Sequence, residues 1–578
     1  MTKRARSILA WAFAAELALL GLALRGPGFF ARHPRAALFV IASVALLRLA
    51  ASLRARAARW VAAALVAALV VCQVAFHRYY HVPIDEQVAL AARHSWADVR
   101  PVFLRVVPWL VLASAALAIG EAWLVRRPAP LSQRARLGLA AAAAFGLMFG
   151  GPLRDATTEV RVARAAVALA TTHEGRAGAH GANLPPLTGT RAPNVLVVLT
   201  ESVRASDFDA ETSPELAALF AGGARLSEMR AVASYTALSL SALLTGLPQA
   251  GARDDVLGAP DLFDYARAFG AAHYWSAHSE TVFERAGVGA GLASFVTADT
   301  LLGHPIGDVE EAVAGGLDRR VAAECARRFP VMGGPYLAMV HLSGTHAPYF
   351  FDEKTAPFRP FSHAASWSGL EDLRRAYRDA IAEQDRSAAA CVRAFIDAQR
   401  GPWLVVLTSD HGEAFGEHAA IHHGQNLYDE QVHVPAMLAW GGGALTADEE
   451  RAVRAAEGAF VTHLDVLPTV LDAIGVLDHF AIARHVARMP GRSLLRPLPA
   501  PRPLAVTNCS EMFPCPLDAW GVLDGDRKLF AQPWDGGWRC LSLRGGEREA
   551  PLDACQDLVR FSRGPFSRLP NGEPNTAP

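Results

Sequence analysis

With 578 residues and 52% apolar side chains, the chain is too long for one ordinary domain and long enough for a large buried core. Its 56 basic and 56 acidic side chains balance, and no Lys/Arg stripe is present. That excludes a nucleic-acid partner, since nothing is available to neutralise a run of phosphates.

The apolar residues crowd into the first 150 positions. Ile8–Leu24, Ala36–Ala51, Trp60–Phe76, Val106–Val125 and Leu137–Leu153 are each near the length of a bilayer-crossing helix. Residues 1–153 are therefore predicted to form about five transmembrane helices. Arg48 interrupts the second segment and is expected to snorkel to an interface. Glu16 lies inside the first, where a carboxyl satisfied by a neighbouring helix is the plain expectation and a headgroup-binding group the alternative. Lys3, Arg4 and Arg6, then Arg54, Arg56 and Arg59, then Arg126, Arg127, Arg134 and Arg136 share one side of a five-span array. The mildly basic loop 25–35 falls on the other, the main exception. The positive-inside rule makes the first side cytoplasmic. The expectation is a multi-pass protein of the inner (cytoplasmic) membrane whose chain after Leu153 faces the periplasm or the cell exterior.

Residues 154–192 read as a linker, because from Thr171 onwards His, Gly, Pro and Thr recur without apolar periodicity. Val195–Leu199 is then apolar at successive positions, the mark of a strand buried on both faces. Tyr336–Leu342, Trp403–Leu407 and Val434–Trp440 repeat the pattern, and Leu370–Gln399 and Thr462–Ile474 read as helices. Strands alternating with helices predict an α/β domain over 193–502, with a mostly parallel central sheet covered by helices. Residues 503–578 read as a small β-rich C-terminal subdomain. Cys509, Cys515, Cys540 and Cys555 fall there, an even number in a short region, as expected for disulfides outside the cytoplasm. Three connectivities are open, and Cys509–Cys515 with Cys540–Cys555 is the preferred one.

In open α/β sheets functional side chains collect at the carboxyl ends of strands. Glu201 follows the first apolar run, Asp410 and His411 follow Trp403–Leu407, and His346 lies a few residues past Tyr336–Leu342. Carboxylates with imidazole, and no Cys among them, are donors for zinc or manganese rather than for a Cys-rich structural zinc. Thr236 precedes Ala237–Leu244, which reads as a helix, so its hydroxyl stands where backbone N–H groups and the helix dipole favour an anion. Plain N-capping is the alternative role. A divalent metal at Glu201, Asp410 and His411 would activate the same hydroxyl as a nucleophile. Glu413 and Glu417 are expected to orient such ligands. His278 and Lys354 have no spacing that assigns them.

Four stretches carry this chemistry: Leu199-Thr200-Glu201-Ser202, Ser234-Tyr235-Thr236-Ala237 running on to Leu244-Thr245-Gly246, Gly344-Thr345-His346-Ala347-Pro348, and Thr408-Ser409-Asp410-His411-Gly412-Glu413 with His423-Gly424. With Asp465-Val466-Leu467-Pro468-Thr469, Gly475 and Gly491-Arg492-Ser493-Leu494, they resemble the sulfatase-like branch of the alkaline phosphatase superfamily, from about Pro193 to Leu495. Sulfatases carry a Cys or Ser that becomes formylglycine, followed by Pro and Arg. Here Thr236 stands at that position, with Leu238 and Leu240 where Pro and Arg fall. Threonine cannot be oxidised to formylglycine, which sets the chain apart from an ordinary sulfatase.

A threonine at that position, Glu201 in place of paired aspartates and preceding membrane spans are similar to the lipid A phosphoethanolamine transferases and the lipoteichoic acid synthases. The resemblance implies that Glu201, Thr236, Asp410 and His411 hold a catalytic zinc, with Thr236 as nucleophile. It implies that His346 and His423 hold the phosphate group or a second metal. His422 competes for the last place, and His341 fits an upstream histidine of the transferase pattern. The implied reaction moves a phospholipid headgroup, phosphoethanolamine or glycerol phosphate, to a lipid or glycan acceptor through a phosphothreonine. The alternatives are a hydrolase of phosphate or sulfate esters and a non-catalytic membrane protein that binds or senses. The second would be expected to have lost a metal ligand, and none is missing. Those transferases also carry disulfides near the nucleophile, whereas no Cys lies near Thr236, so the headgroup stays open.

Overall fold

A computed structural model describes residues 2–32, 36–80, 84, 88–89, 92–93, 96–149, 158–171, 184–189, 191–248, 256–278, 283, 287–306, 309–314, 316–508, 519–532, 535, 537–570 and 574–575. The chain forms two compact units, one ending near residue 173 and one holding the rest.

In the first unit the apolar segments fall on the helices Lys3–Arg32, Ala36–Ala50, Arg56–Tyr80, Trp96–Leu124 and Gln133–Phe149. Among the described residues two stretches, Arg56–Arg78 and Phe103–Leu124, are long and apolar enough to cross a bilayer. This corrects the expectation of five. Ala36–Ala50 stops at 15 residues, and Gln133–Phe149 opens with Arg134 and Arg136 within its 17, both short of the ~20 apolar residues a span requires. The segment Leu137–Leu153 also runs beyond the described residues. Phe103–Leu124 exposes Trp109 and Ile119, large apolar side chains that water disfavours and lipid accepts.

Arg48 does not snorkel. It is buried, stacked over Trp11 at 5.3 Å, with Nη1 donating to the Ala129 carbonyl at 3.4 Å. Arg59 donates to the carbonyls of Leu53, Arg54, Val125 and Arg126. Helix ends leave carbonyls unpaired, and a guanidinium fork can satisfy several at once. Glu16 lies beside Glu121 of the helix Trp96–Leu124. Part of the predicted linker is the helix Thr158–Thr171, an Ala-rich run free of Gly and Pro.

The second unit is built on a seven-stranded sheet in the order Ala224–Arg225, Ala436–Gly441, Trp403–Ser409, Asn194–Thr200, Tyr336–His341, Ala271–Ser276, Ser294–Val296. The last five run parallel. Ala436–Gly441 is antiparallel to both neighbours, so the sheet is mixed. The reason lies in the connection. Between Ser409 and Ala436 there are only two-residue strands, a short turn of 3-10 helix and a four-residue helix. A parallel neighbour would need a full crossover. Residues 195–199 are buried on both faces, as their unbroken apolar run requires.

The 29-residue helix Leu370–Ala398 packs on the sheet beside Leu317–Arg328, and Cys325–Cys391 ties the two helices together. Sequence reasoning left this disulfide out. It spans 66 residues, and a loop of that size is expected to contribute about 4 kcal/mol by constraining the unfolded chain. Cys325→Ala/Cys391→Ala is expected to unfold at correspondingly lower denaturant, read as the urea midpoint of the detergent-solubilised chain.

After residue 503 the chain forms an antiparallel five-stranded sheet, Leu504–Asn508, Ala519–Asp524, Arg527–Ala531, Arg539–Ser542 and Arg548–Ala550, with Gln556–Ser562 against it. Its core gathers Trp520, Val522, Leu529 and Phe566, and Cys540–Cys555 closes it. The other preferred pair, Cys509–Cys515, lies outside the described residues.

Candidate active site

Four adjacent parallel strands end at one edge of the sheet, and each delivers a group there. Glu201 follows Asn194–Thr200, Asp410 and His411 follow Trp403–Ser409, His341 ends Tyr336–His341, and His278 comes two residues after Ala271–Ser276. Glu201, His341, Asp410 and His411 are fully buried, and His278 is nearly so.

The backbone holds the first three rigidly. Ser202, a non-glycine residue at φ 56°, is kept in that left-handed turn because its N–H donates to Asp410 Oδ1 at 2.9 Å and its carbonyl accepts from Tyr377 Oη at 2.7 Å. The same Asp410 oxygen accepts the His411 N–H at 2.7 Å. His411 Nδ1 donates to the Gly412 carbonyl at 2.9 Å, which turns Nε2 inwards. Gly412 cannot be replaced cheaply, since a Cβ there meets the Glu430 carbonyl. Gly412→Ala is expected to displace Asp410 and His411 and to lower the divalent metal bound per chain, measured by elemental analysis.

Thr236 is the first residue of the helix Thr236–Thr245, which Gly246 ends at φ 66°. Its hydroxyl does not cap that helix. It donates to Glu201 Oε1 at 3.1 Å and lies 3.2 Å from His411 Nε2. Glu201 Oε1 is 3.4 Å from His411 Nε2, which is 3.3 Å from Asp410 Oδ2. A tetrahedral ion bound at 2.0–2.1 Å separates its ligands by about 3.3–3.4 Å. Asp410 Oδ2 is buried without a hydrogen-bond partner, an arrangement that costs free energy unless a cation completes it. The donor set Glu201, Asp410 and His411, with the Thr236 hydroxyl beside it, thus fits a divalent metal.

The electrostatics agree. Burial opposes ionisation of His411, yet Asp410 and Glu201 beside it hold its pKa up at about 9. Burial raises the Asp410 carboxyl, and the Glu201 charge raises it further. Burial also works against Glu201, but His278, His341 and His411 hold it well below the usual range. Two carboxylates confined in one dry pocket favour a proton on the neighbouring imidazole. The same field favours a divalent cation more strongly.

His346 and His423 stand on the outer side. Their rings are 5.2 Å apart, His423 is 4.2 Å from the His411 ring, and both can share an ion with Glu201. His346 Nδ1 donates to the Ala347 carbonyl at 2.7 Å. Glu413, buried, accepts from His423 Nδ1 at 3.0 Å and from His422 Nδ1 at 2.8 Å. Burial disfavours the Glu413 charge, but these two imidazoles hold its pKa far below the usual value. His422 faces Glu413 and Tyr349 rather than the cluster. Glu417 pairs with Arg204 at 2.8 Å, and Arg204 also binds the Glu413 carbonyl, so Glu417 acts on the loop. Lys354 lies exposed.

Sequence reasoning left His278 unassigned and gave His341 little weight. The strand leading to His278 reads Ala-Ala-His-Tyr-Trp-Ser, which lacks an unbroken apolar run. The usable signal was a histidine just past a fourth strand.

A sulfatase family model matches residues 193–476. The full-length integral membrane lipooligosaccharide phosphoethanolamine transferase A of Neisseria meningitidis aligns at 15% identity and TM-score 0.53, covering 81% of this chain and 95% of that one. The C-terminal periplasmic domain of a phosphoethanolamine transferase from Campylobacter jejuni aligns at 16% identity and TM-score 0.38, over 49% of this chain and 89% of that one. A phosphonate monoester hydrolase of Agrobacterium radiobacter aligns at 16% identity and TM-score 0.46, over 64% and 94%. The neisserial likeness extends the shared fold through the N-terminal helices. Residues 193–476 match the sulfatase family, and the chain is an enzyme of the sulfatase-like type.

Proposed function

We propose that the chain is a membrane-anchored, metal-dependent phosphotransferase. In this reading it moves a phospholipid headgroup, phosphoethanolamine or glycerol phosphate, to a lipid or glycan acceptor through a phosphothreonine at Thr236. The observation that carries the reading is the Thr236 hydroxyl, set at a helix N-terminus 3.1 Å from Glu201 and 3.2 Å from His411. Glu201, Thr236, Asp410 and His411 hold the metal, with zinc favoured by the imidazole and manganese as second choice. When bound, that ion lowers the pKa of the hydroxyl and stabilises negative charge on the transferring group.

The Thr236 oxygen attacks phosphorus and the bond to the diacylglycerol oxygen breaks. The proton lost from Thr236 ends on the released alcohol. The acceptor hydroxyl then attacks the phosphothreonine, and the Thr236 oxygen regains a proton as it leaves. His346 and His423, each anchored through Nδ1, hold the phosphoryl oxygens, and the free N–H groups of the Thr236 helix favour the same charge.

Two membrane-length helices and the fold shared with the full-length neisserial transferase support a lipid donor held at the membrane. Disulfides at Cys325–Cys391 and Cys540–Cys555 support an oxidising compartment, hence a catalytic unit facing the periplasm or cell exterior. Full-length protein in detergent, given zinc or manganese and phospholipids with labelled headgroups, tests the proposal. Diacylglycerol release, with the headgroup phosphate carried as a mass increment on the Thr236 peptide, is expected. Release of label to water with no increment on Thr236 points to a hydrolase and overturns transfer.

A further inference from the structure

Glu201 presents two faces. Oε1 meets Thr236 and His411, whereas Oε2 points the other way, 3.0 Å from His278 Nε2 and 3.5 Å from His341 Nε2. We infer that His278, His341 and Glu201 Oε2 form a second divalent-cation site, of the zinc class, so that Glu201 bridges two ions.

The three residues are 7%, 0% and 0% exposed, and Nε2 of His278, Nε2 of His341 and Oε2 of Glu201 all lack an aligned hydrogen bond. Two ring nitrogens converge on one carboxylate oxygen, and none of the three atoms is in an aligned hydrogen bond. A cation satisfies all three atoms at once. Their separations bracket the ~3.3 Å ligand spacing of a tetrahedral ion bound through nitrogen and oxygen.

The rings are preset for that role. Their centroids lie 4.4 Å apart at an interplanar angle of 35°. Tyr274 Oη holds His341 Nδ1 at 3.2 Å, leaving Nε2 for the site, and the backbone N–H of His278 donates to Ser276 Oγ at 2.9 Å, which fixes the main chain that carries the second ring. Tyr274 and Ser276 belong to the strand beside Tyr336–His341, with Ser276 opposite His341 in register, so the backbone itself aligns the two histidines. This site shares Glu201 with the one proposed for phosphoryl transfer but lies on the opposite carboxylate oxygen. It is also distinct from the His346 and His423 pair.

The test counts metal. Full-length chain is stripped with chelator, loaded with Zn²⁺ in detergent, desalted and measured by elemental analysis. His278→Gln/His341→Gln is expected to carry one zinc fewer than wild type, whereas His346→Gln/His423→Gln retains that zinc. Unchanged stoichiometry in the His278/His341 variant overturns the second site. Asp410→Asn reports on the first site separately: loss of a zinc there, with none lost from His278→Gln/His341→Gln, leaves the transfer site standing and removes only this inference. Zinc-edge anomalous scattering from wild-type crystals needs no variant that could misfold. A peak between Glu201, His278 and His341 is expected, and a peak beside Thr236 with none there overturns it.

Discussion

Thr236→Ala is expected to lower headgroup transfer by about 10⁴-fold or more, the scale on which loss of a nucleophile acts. The loss corresponds to roughly 5–6 kcal/mol of transition-state stabilisation. Three carboxylate and imidazole donors remain at Glu201, Asp410 and His411, so the variant keeps its fold and most of its capacity for metal. Thr236→Ser restores an oxygen at the same place and is expected to recover part of the rate. Two readouts are needed: diacylglycerol release from labelled phospholipid, and the mass of the peptide containing residue 236. Full turnover by Thr236→Ala would remove Thr236 as nucleophile, whatever the metal content shows.

A large stability effect is also expected at Lys528, which is completely buried. Its ammonium lies 2.9 Å from Asp429 Oδ1, 2.5 Å from Glu547 Oε1 and 2.7 Å from the Leu427 carbonyl. Burial disfavours its charge, but Asp429 and Glu547 more than offset that and raise its pKa. Lys528→Met leaves Glu547 buried without a counter-charge, while Asp429 keeps Arg230 at 2.7 Å. Breaking a buried pair in this way costs about 3 kcal/mol, and Tm is expected to fall by roughly 5 °C. Adding Glu547→Gln removes the stranded charge and is expected to recover part of the loss. An unchanged melting curve for Lys528→Met would show that the network contributes nothing. The contacts also reach the site. Lys528 on Leu427 and Asn508 on the Gly424 carbonyl clamp the segment that follows His423, so the C-terminal sheet braces the outer histidine pair.

The α/β layout was legible because a strand buried on both faces must be apolar at every position. Val195–Leu199 and Trp403–Leu407 satisfy that, and Tyr336–Val340 does so up to His341. Chemistry placed just after such runs was legible too, which is why Glu201, Asp410 and His411 stood out. Thr236 was legible from the helix it opens. Direction was not. Val434–Trp440 looks like its parallel neighbours, and only the short path from Ser409 makes Ala436–Gly441 run the other way. The membrane region misled by length, since apolar composition alone does not reveal where a helix stops.

By itself the sequence determined the chemical inventory: which acids, imidazoles and hydroxyls stand at strand and helix ends, and that a threonine replaces the formylglycine precursor. Local pattern suffices for that, because periodicity and end position are properties of neighbouring residues. Only the tertiary structure decided which groups meet. Placing Ala271–Ser276 beside Tyr336–His341 is what sets His278 and His341 against the far oxygen of Glu201. Bringing Cys325 to Cys391 across 66 residues is likewise a matter of helix packing. Strand order and packing are fixed by burial summed over the whole unit, and no short window of residues contains that sum.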